Sequence, residues 1–215
     1  MPHYLTQEIK SDGWIAVWKL TETEEELLSC RNLSAEETDY LSHLTNKRRR
    51  IEWLASRILL QKLLGQNIQI EYLPNGKPIL THPKYFLSIS HSKDFVAVII
   101  SPNKNVGVDI EKIRDNIGAL KDKFLSSKEL KTIDTSDNLM LHLHWGAKEA
   151  TYKIYSSYQP LFTEHLCLAN VHFDTQTATG VFSKEDMYKT VEIAFRQVED
   201  NLLVYCWETE NAVEN

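Results

Sequence analysis

Three carboxylates and a lysine frame the chemistry open to this chain. Asp109 and Glu111 stand two apart in the apolar run Val106-Gly107-Val108-Asp109-Ile110-Glu111. On a strand, residues two apart share a face. Trp145, Glu149 and Lys153 stand four apart in His144-Trp145-Gly146-Ala147-Lys148-Glu149-Ala150-Thr151-Tyr152-Lys153. On a helix that spacing puts an aromatic ring, a carboxylate and an ammonium on one side, with Lys148 pointing elsewhere. Brought together, Asp109, Glu111 and Glu149 suit a divalent cation, and Lys153 suits a phosphate beside it. Each pair also has a plainer reading. Glu149 and Lys153 fit a surface ion pair worth a few tenths of a kcal/mol. Asp109 and Glu111 fit the solvent face of an edge strand.

Two further groups point to an anion. Lys47-Arg48-Arg49-Arg50 packs four cations together, and Arg57 follows Arg50 about two turns on. Guanidinium forks match phosphate oxygens, although a charge run is also an ordinary solvated face. Lys77 stands in the turn Pro74-Asn75-Gly76-Lys77-Pro78. His91 leaves the strand-like run Leu87-Ser88-Ile89-Ser90 with hydroxyls on either side, Ser90 and Ser92.

Several elements must position these groups. Trp14–Leu20 reads as a strand. Thr21 or Thr23 starts a short acidic helix, and Ser34 with Glu37 forms a capping box for a second. Asn46–Leu64 has helical apolar spacing and ends at Gly65. Ile68–Leu73, Phe86–Ser90, Phe95–Ser101 and Val106–Ile110 read as strands. Helices are expected near Asn116–Phe124 and Ser127–Ile133, and a long one at Leu139–Tyr155. Strands follow at Leu166–Phe173, Thr179–Phe182, Thr190–Val198 and Leu202–Glu208, and then a polar, frayed end. Each half supplies helices and strands. The expected fold is therefore α+β: two similar lobes in a pseudo-dimer, each with a small, mainly antiparallel sheet against helices. The turn Pro102–Asn105 divides them into residues 1–103 and 104–215.

Composition narrows the class. The 42% hydrophobic and 25% charged content is that of a soluble globular chain. The net charge of −6 argues against a general nucleic-acid binder. No apolar run is long enough to span a membrane, and the start lacks a signal-peptide pattern. Cys30, Cys167 and Cys206 fit no disulfide framework or zinc spacing. A reduced, cytoplasmic monomer is expected.

Taken in order, these motifs resemble those of the 4′-phosphopantetheinyl transferases, in the long, pseudo-dimeric, surfactin-synthetase-activating type. The resemblance rests on Gly76-Lys77-Pro78, Ser88-Ile89-Ser90-His91-Ser92, Val106 to Glu111, Phe124 to Glu129 and Trp145 to Lys153. Asp109 and Glu149 lie 40 residues apart, within the family's spacing. Gly146 departs from the pattern, standing where many relatives carry Ser or Thr.

The resemblance implies coenzyme A as donor and a serine of an acyl or peptidyl carrier protein as acceptor, with adenosine 3′,5′-bisphosphate released. It implies Mg²⁺ held by Asp109, Glu111 and Glu149. Glu149 is either the base or only a metal ligand, a choice the residues leave open, and Lys153 is the stabiliser of the leaving group. Arg50, Arg57, Lys77, Ser90, His91 and Lys153 are the candidate donor contacts. Trp145 is a packing anchor. Lys128 and Lys131, beside Phe124, Leu125 and Leu130, are expected to edge an apolar strip that receives the carrier. The alternative is a non-catalytic carrier-protein or nucleotide-binding module of the same fold. A metal-dependent hydrolase built on His142 and His144 is weaker, because the two histidines diverge on a helix.

Overall fold

The run Phe95–Ser101 is apolar at every position but its last, so it demands cover on both faces. A computed structural model, which describes residues 3–10, 12–66, 68–80 and 84–209, shows how that cover is supplied. Strands β1 (His3–Ile9), β2 (Gly13–Lys19), β5 (Phe86–His91) and β6 (Phe95–Ser101) form an antiparallel sheet in the order β1-β2-β6-β5. Ala16, Trp18, Val96, Val98 and Ile100 face helices α1 (Glu24–Ser29), α2 (Ala35–His43) and α3 (Lys47–Leu64). The Ser34 capping box and the end of α3 at Gly65 are as the sequence predicts; Thr23 also closes a capping box, and Asn46 caps α3.

The alternate residues Ile15, Val17, Phe95, Ala97 and Ile99 face the other way, onto a second sheet. Its strands are β7 (Val106–Lys112), β8 (Leu166–His172), β9 (Thr177–Lys184), β10 (Met187–Val198) and β11 (Asn201–Glu208), in the antiparallel order β7-β11-β10-β9-β8. The short α4 (Glu129–Thr132) precedes α5 (Asn138–Tyr155), whose Leu143, Ala147, Ala150 and Ile154 cover that sheet's outer face. The layers therefore run helix, sheet, sheet, helix. No helix among the described residues is long and apolar enough to cross a membrane. The two sheets lie on either side of Pro102–Asn105 in sequence, yet they share one core: Val106, Val108 and Ile110 of β7 pack with β2 and β6.

Several elements differ from expectation. Strand β1 pairs along β2, although its polar residues carry no apolar alternation. The helix expected at Asn116–Phe124 is a 3₁₀ helix, Ile117–Lys123. The strand expected at Ile68–Leu73 shrinks to β3 (Glu71–Tyr72), both residues exposed, paired with β4 (Pro78–Ile79). The frayed end expected after residue 209 lies outside the described residues.

Candidate active site

The site forms where β5 of the first sheet meets β7 of the second. These strands exchange no ladder hydrogen bonds. Instead the Val108 N–H donates to Ser88 Oγ at 3.2 Å and the Ile110 N–H to Ser90 Oγ at 3.3 Å. Two serines at i and i+2 thus satisfy alternate amides of an otherwise unpaired edge. Ser90 donates in turn to Asp109 Oδ1 at 3.0 Å and accepts from Lys153 Nζ at 3.0 Å. All three hydrogen-bonding positions of its hydroxyl are filled. Ser90 is therefore a brace for Asp109, buried at 7% exposure, rather than a free donor contact of the kind expected from the sequence.

Helix α5 crosses β7 at backbone distance. A Cβ at Gly107 would stand 2.0 Å from the Ala150 carbonyl oxygen, so only glycine lets the helix settle there. A Cβ at Gly146 would stand 2.9 Å from Val204 Cγ2. The departure noted at Gly146 thus coincides with a close approach of α5 to β11. This contact brings Lys153 onto the strand, where its ammonium donates to Asp109 Oδ1 at 2.9 Å, Val108 O at 2.7 Å and Ser90 Oγ. All three N–H bonds are used. Lys153 offers the site a fixed positive charge, and to hydrogen-bond a phosphate it must exchange a partner.

Asp109 is 5% exposed, and its Oδ2 is buried with no hydrogen-bond partner. Glu149 and Glu111 are close enough to Asp109 to feel its charge. Burial, then Asp109 and Glu111, push the Glu149 carboxyl up to about 7 against the pull of Lys153. Burial, then Asp109, also raise the Glu111 carboxyl. Among the described residues, no three His, Cys, Asp or Glu side chains converge as a ready-made metal cage. The expected convergence of all three carboxylates on one point is therefore looser than the sequence suggested. An orphaned acceptor beside two carboxyls that resist ionisation still fits Mg²⁺. That ion is usually held by one or two carboxylates, with substrate phosphates and water completing the set.

An anion pocket adjoins this corner. Arg49, Glu52, Trp53, Arg57, Tyr72, Gly76 and His91 line a cavity of about 500 Å³. Arg49 Nη1 donates to His91 Nε2 at 2.7 Å. A guanidinium can only donate, so Nε2 is the acceptor and the ring proton sits on Nδ1. Burial lowers the His91 pKa, and Arg49, Lys153 and Arg48 lower it further against Glu52. Arg57 is buried, its guanidinium 3.7 Å over the Trp53 ring and 3.0 Å from the Tyr72 hydroxyl. A second cavity, about 190 Å³, shares Gly76, Pro78 and Ile89 with the first and lies between Lys77 and Lys153. Lys77 Nζ donates to Ile154 O at 2.9 Å, near the C-terminal end of α5 where a cation is favoured. Arg50 is placed otherwise than expected. Its fork is taken up by Glu24 and by the carbonyls of Leu41 and Leu44, which ties α1 and α2 to α3. Arg49, which faces His91, is the neighbour that sequence spacing did not single out.

Comparison with known proteins fits this geometry. The family profile described as the 4′-phosphopantetheinyl transferase superfamily matches residues 105–202, which hold β7, α5 and the carboxylates Asp109, Glu111 and Glu149. Over that segment, the chain is similar to the 4′-phosphopantetheinyl transferase superfamily. It is 28% identical over 153 residues to the L-aminoadipate-semialdehyde dehydrogenase-phosphopantetheinyl transferase of Rattus norvegicus, a match covering 59% of this chain and 49% of that protein. It is 39% identical over 85 residues to the 4′-phosphopantetheinyl transferase AcpT of Salmonella typhi, covering 38% of this chain and 44% of that one. The chain thus spans about half the length, or less, of these curated relatives.

Within this fold, Lys148 emerges as a structural centre that sequence reasoning passed over. Its side chain is 1% exposed and donates to Phe124 O at 2.7 Å, Phe162 O at 2.9 Å and Glu129 Oε2 at 2.7 Å. Burial alone would raise the Glu129 carboxyl. The nearby His144 ring and hydrogen bonds from Lys148 and Ser126 overcome that and hold it at about 2. His142 and His144 serve different partners: His142 Nε2 accepts the Arg114 N–H at 3.1 Å, and His144 Nδ1 lies 3.5 Å from Glu129 Oε1. Trp145 packs edge-on to Phe124 at 5.5 Å and tilted against Phe162 at 5.6 Å, an anchor as expected. The apolar docking strip is overturned in part. Phe124 and Leu125 are core residues, at 0% and 1% exposure, and cannot meet a partner. Leu120, in the 3₁₀ helix just before them, is 42% exposed.

Proposed function

We propose that the chain transfers the 4′-phosphopantetheine group of coenzyme A to a serine of an acyl or peptidyl carrier protein. The observation that carries this is the single corner formed by Asp109, Glu111, Glu149 and Lys153, opening beside a pocket lined with Arg49 and His91. In this reading the serine oxygen forms a bond to the β-phosphorus of coenzyme A. The bond from that phosphorus to the bridging oxygen breaks, and adenosine 3′,5′-bisphosphate leaves. Glu149, whose carboxyl is pushed up to about 7 with no metal beside it, fills one of two roles, acceptor of the serine proton or metal ligand, and not both at once. Lys153 supplies fixed positive charge where the leaving group gains negative charge. Asp109, Glu111 and Glu149 are the residues that would hold Mg²⁺, which when bound neutralises charge on the pyrophosphate. The reaction is assigned to a monomer in the cytoplasm.

The test is intact-mass analysis of an apo-carrier protein incubated with the chain, coenzyme A and Mg²⁺. A gain of one phosphopantetheine unit is expected. An unchanged mass across several carrier proteins would refute the reading.

Arg49 and His91 are assigned to the donor's 3′-phosphate, with Lys77 on the pyrophosphate side. Hydrogen bonds to charged groups are worth about 1.5–3 kcal/mol. Arg49→Ala or His91→Ala is therefore expected to weaken coenzyme A about tenfold to a hundredfold. Binding of 3′-dephospho-coenzyme A should change far less. Equal losses for the two donors, read by calorimetry, would place the 3′-phosphate elsewhere.

A further inference from the structure

Glu52 is the anomaly of the anion pocket. It is a carboxylate, 8% exposed, in the wall of a cavity that the cations make attractive to phosphate. Its Oε1 accepts from Arg48 Nε at 3.0 Å. Its Oε2 has no hydrogen-bond partner, yet lies 3.4 Å from His91 Nδ1 and 3.6 Å from Arg49 Nη1. Arg48 Nη2 reaches on to Ser92 O at 3.0 Å, so the same carboxylate ties α3 to the turn after β5. A negative charge here opposes an incoming anion. If Glu52 acted only through its field, an anion pocket would bind better without it.

Geometry gives the carboxylate a different use. Three donors from two elements converge on it: Arg48 and Arg49 from α3, and the His91 Nδ1–H from the end of β5. Left alone, the two guanidiniums would repel each other and turn to solvent, and the His91 ring, which Arg49 holds only through Nε2, would turn with them. The carboxylate holds them on one side of the cavity. It lies 3.4 Å from His91 Nδ1, on the side where the Arg49 bond to Nε2 puts the ring proton. We propose that Glu52 is a positioning residue for donor binding: it holds Arg49 and His91 as a preformed cradle for the 3′-phosphate, and so sets the preference for a donor that carries that phosphate. The inference rests on the reading of this cavity given above.

Glu52→Gln separates the two accounts by sign. The amide keeps the shape and removes the charge, and its NH₂ cannot accept from the His91 Nδ1–H or from Arg49. On electrostatics alone the variant should bind coenzyme A more tightly. If Glu52 positions the cradle, the variant should bind coenzyme A about tenfold more weakly, with 3′-dephospho-coenzyme A within about twofold of the parent. Calorimetric titration of parent and variant with both donors reads the ratio, and thermal melting checks that the variant is folded. Nitrogen chemical shifts of the His91 ring give a second readout in the unliganded protein: Nδ1 protonated in the parent, altered in the variant. A parent that prefers coenzyme A, paired with a variant that binds it equally or more tightly, overturns the role of Glu52 alone. A parent with no preference between the donors overturns the reading of the cavity, and the role of Glu52 with it. A variant that fails to fold, together with a parent whose His91 carries its proton on Nε2, also overturns it.

Discussion

Asp109→Asn is expected to lower carrier-protein turnover by about a thousandfold, the upper end of what loss of one electrostatic group costs an active site. Asparagine keeps the size of the side chain and an acceptor for Ser90. It removes the charge that faces Lys153 and the anionic oxygen at the orphaned Oδ2 position. Asp109→Ala is the poorer probe. From the sequence, Asp109 reads as a surface ligand whose loss would spare the fold. In the structure it is buried and bonded to Ser90 and Lys153, so alanine strands both partners and costs about 1–3 kcal/mol of stability as well. Turnover by intact mass, alongside a thermal melt, separates the two effects. An Asn variant with near-normal turnover at ordinary Mg²⁺ would remove Asp109 from the reaction.

What the sequence revealed about this corner, and what it hid, follows from the range of each interaction. Asp109 and Glu111 share a face because side chains alternate along a strand, and that period is written locally. Trp145, Glu149 and Lys153 were read as one face, but residues four apart on a helix drift by about 40° per step. Trp145 accordingly turns to Phe124 and Phe162, while Lys153 turns to Asp109. Ser88 and Ser90 could not be read as braces. Their partners are backbone amides of β7, some twenty residues on, and a backbone amide has no signature in the sequence. Arg50 stood in the most basic stretch of the chain, yet its partner Glu24 comes from the acidic helix α1, and nothing local announces that pairing. Strand β1 escaped for a related reason: it is an edge strand whose place is set by pairing with β2 and not by its own pattern.

Lys148 shows the same limit at its strongest, and it carries the largest expected effect on stability. A lysine in a helix reads as a solvent-facing residue, but this one is sealed in with Glu129. Its three N–H bonds meet three acceptors, from the start of the 124–129 segment, from Glu129, and from Phe162 beyond α5. Lys148→Met would leave two carbonyls unpaired and a carboxylate buried without its cation. Breaking a buried pair from one side costs about 3–5 kcal/mol, and urea unfolding should show a loss of that size. Adding Glu129→Gln should recover part of it, because the uncompensated charge goes while an acceptor for Ser126 remains. The acid limb should move too. The Glu129 carboxyl is held at about 2 in the folded chain against an ordinary 4.5. Its contribution is therefore complete above pH 4.5 and is lost as pH falls through about 2. Without Lys148 the folded-state value rises toward the ordinary one, and the acid transition shifts to higher pH. A Lys148→Met variant within about 1 kcal/mol of the parent, with an unmoved acid transition, would show that the buried pair contributes little and that packing of α5 alone holds the 124–129 segment.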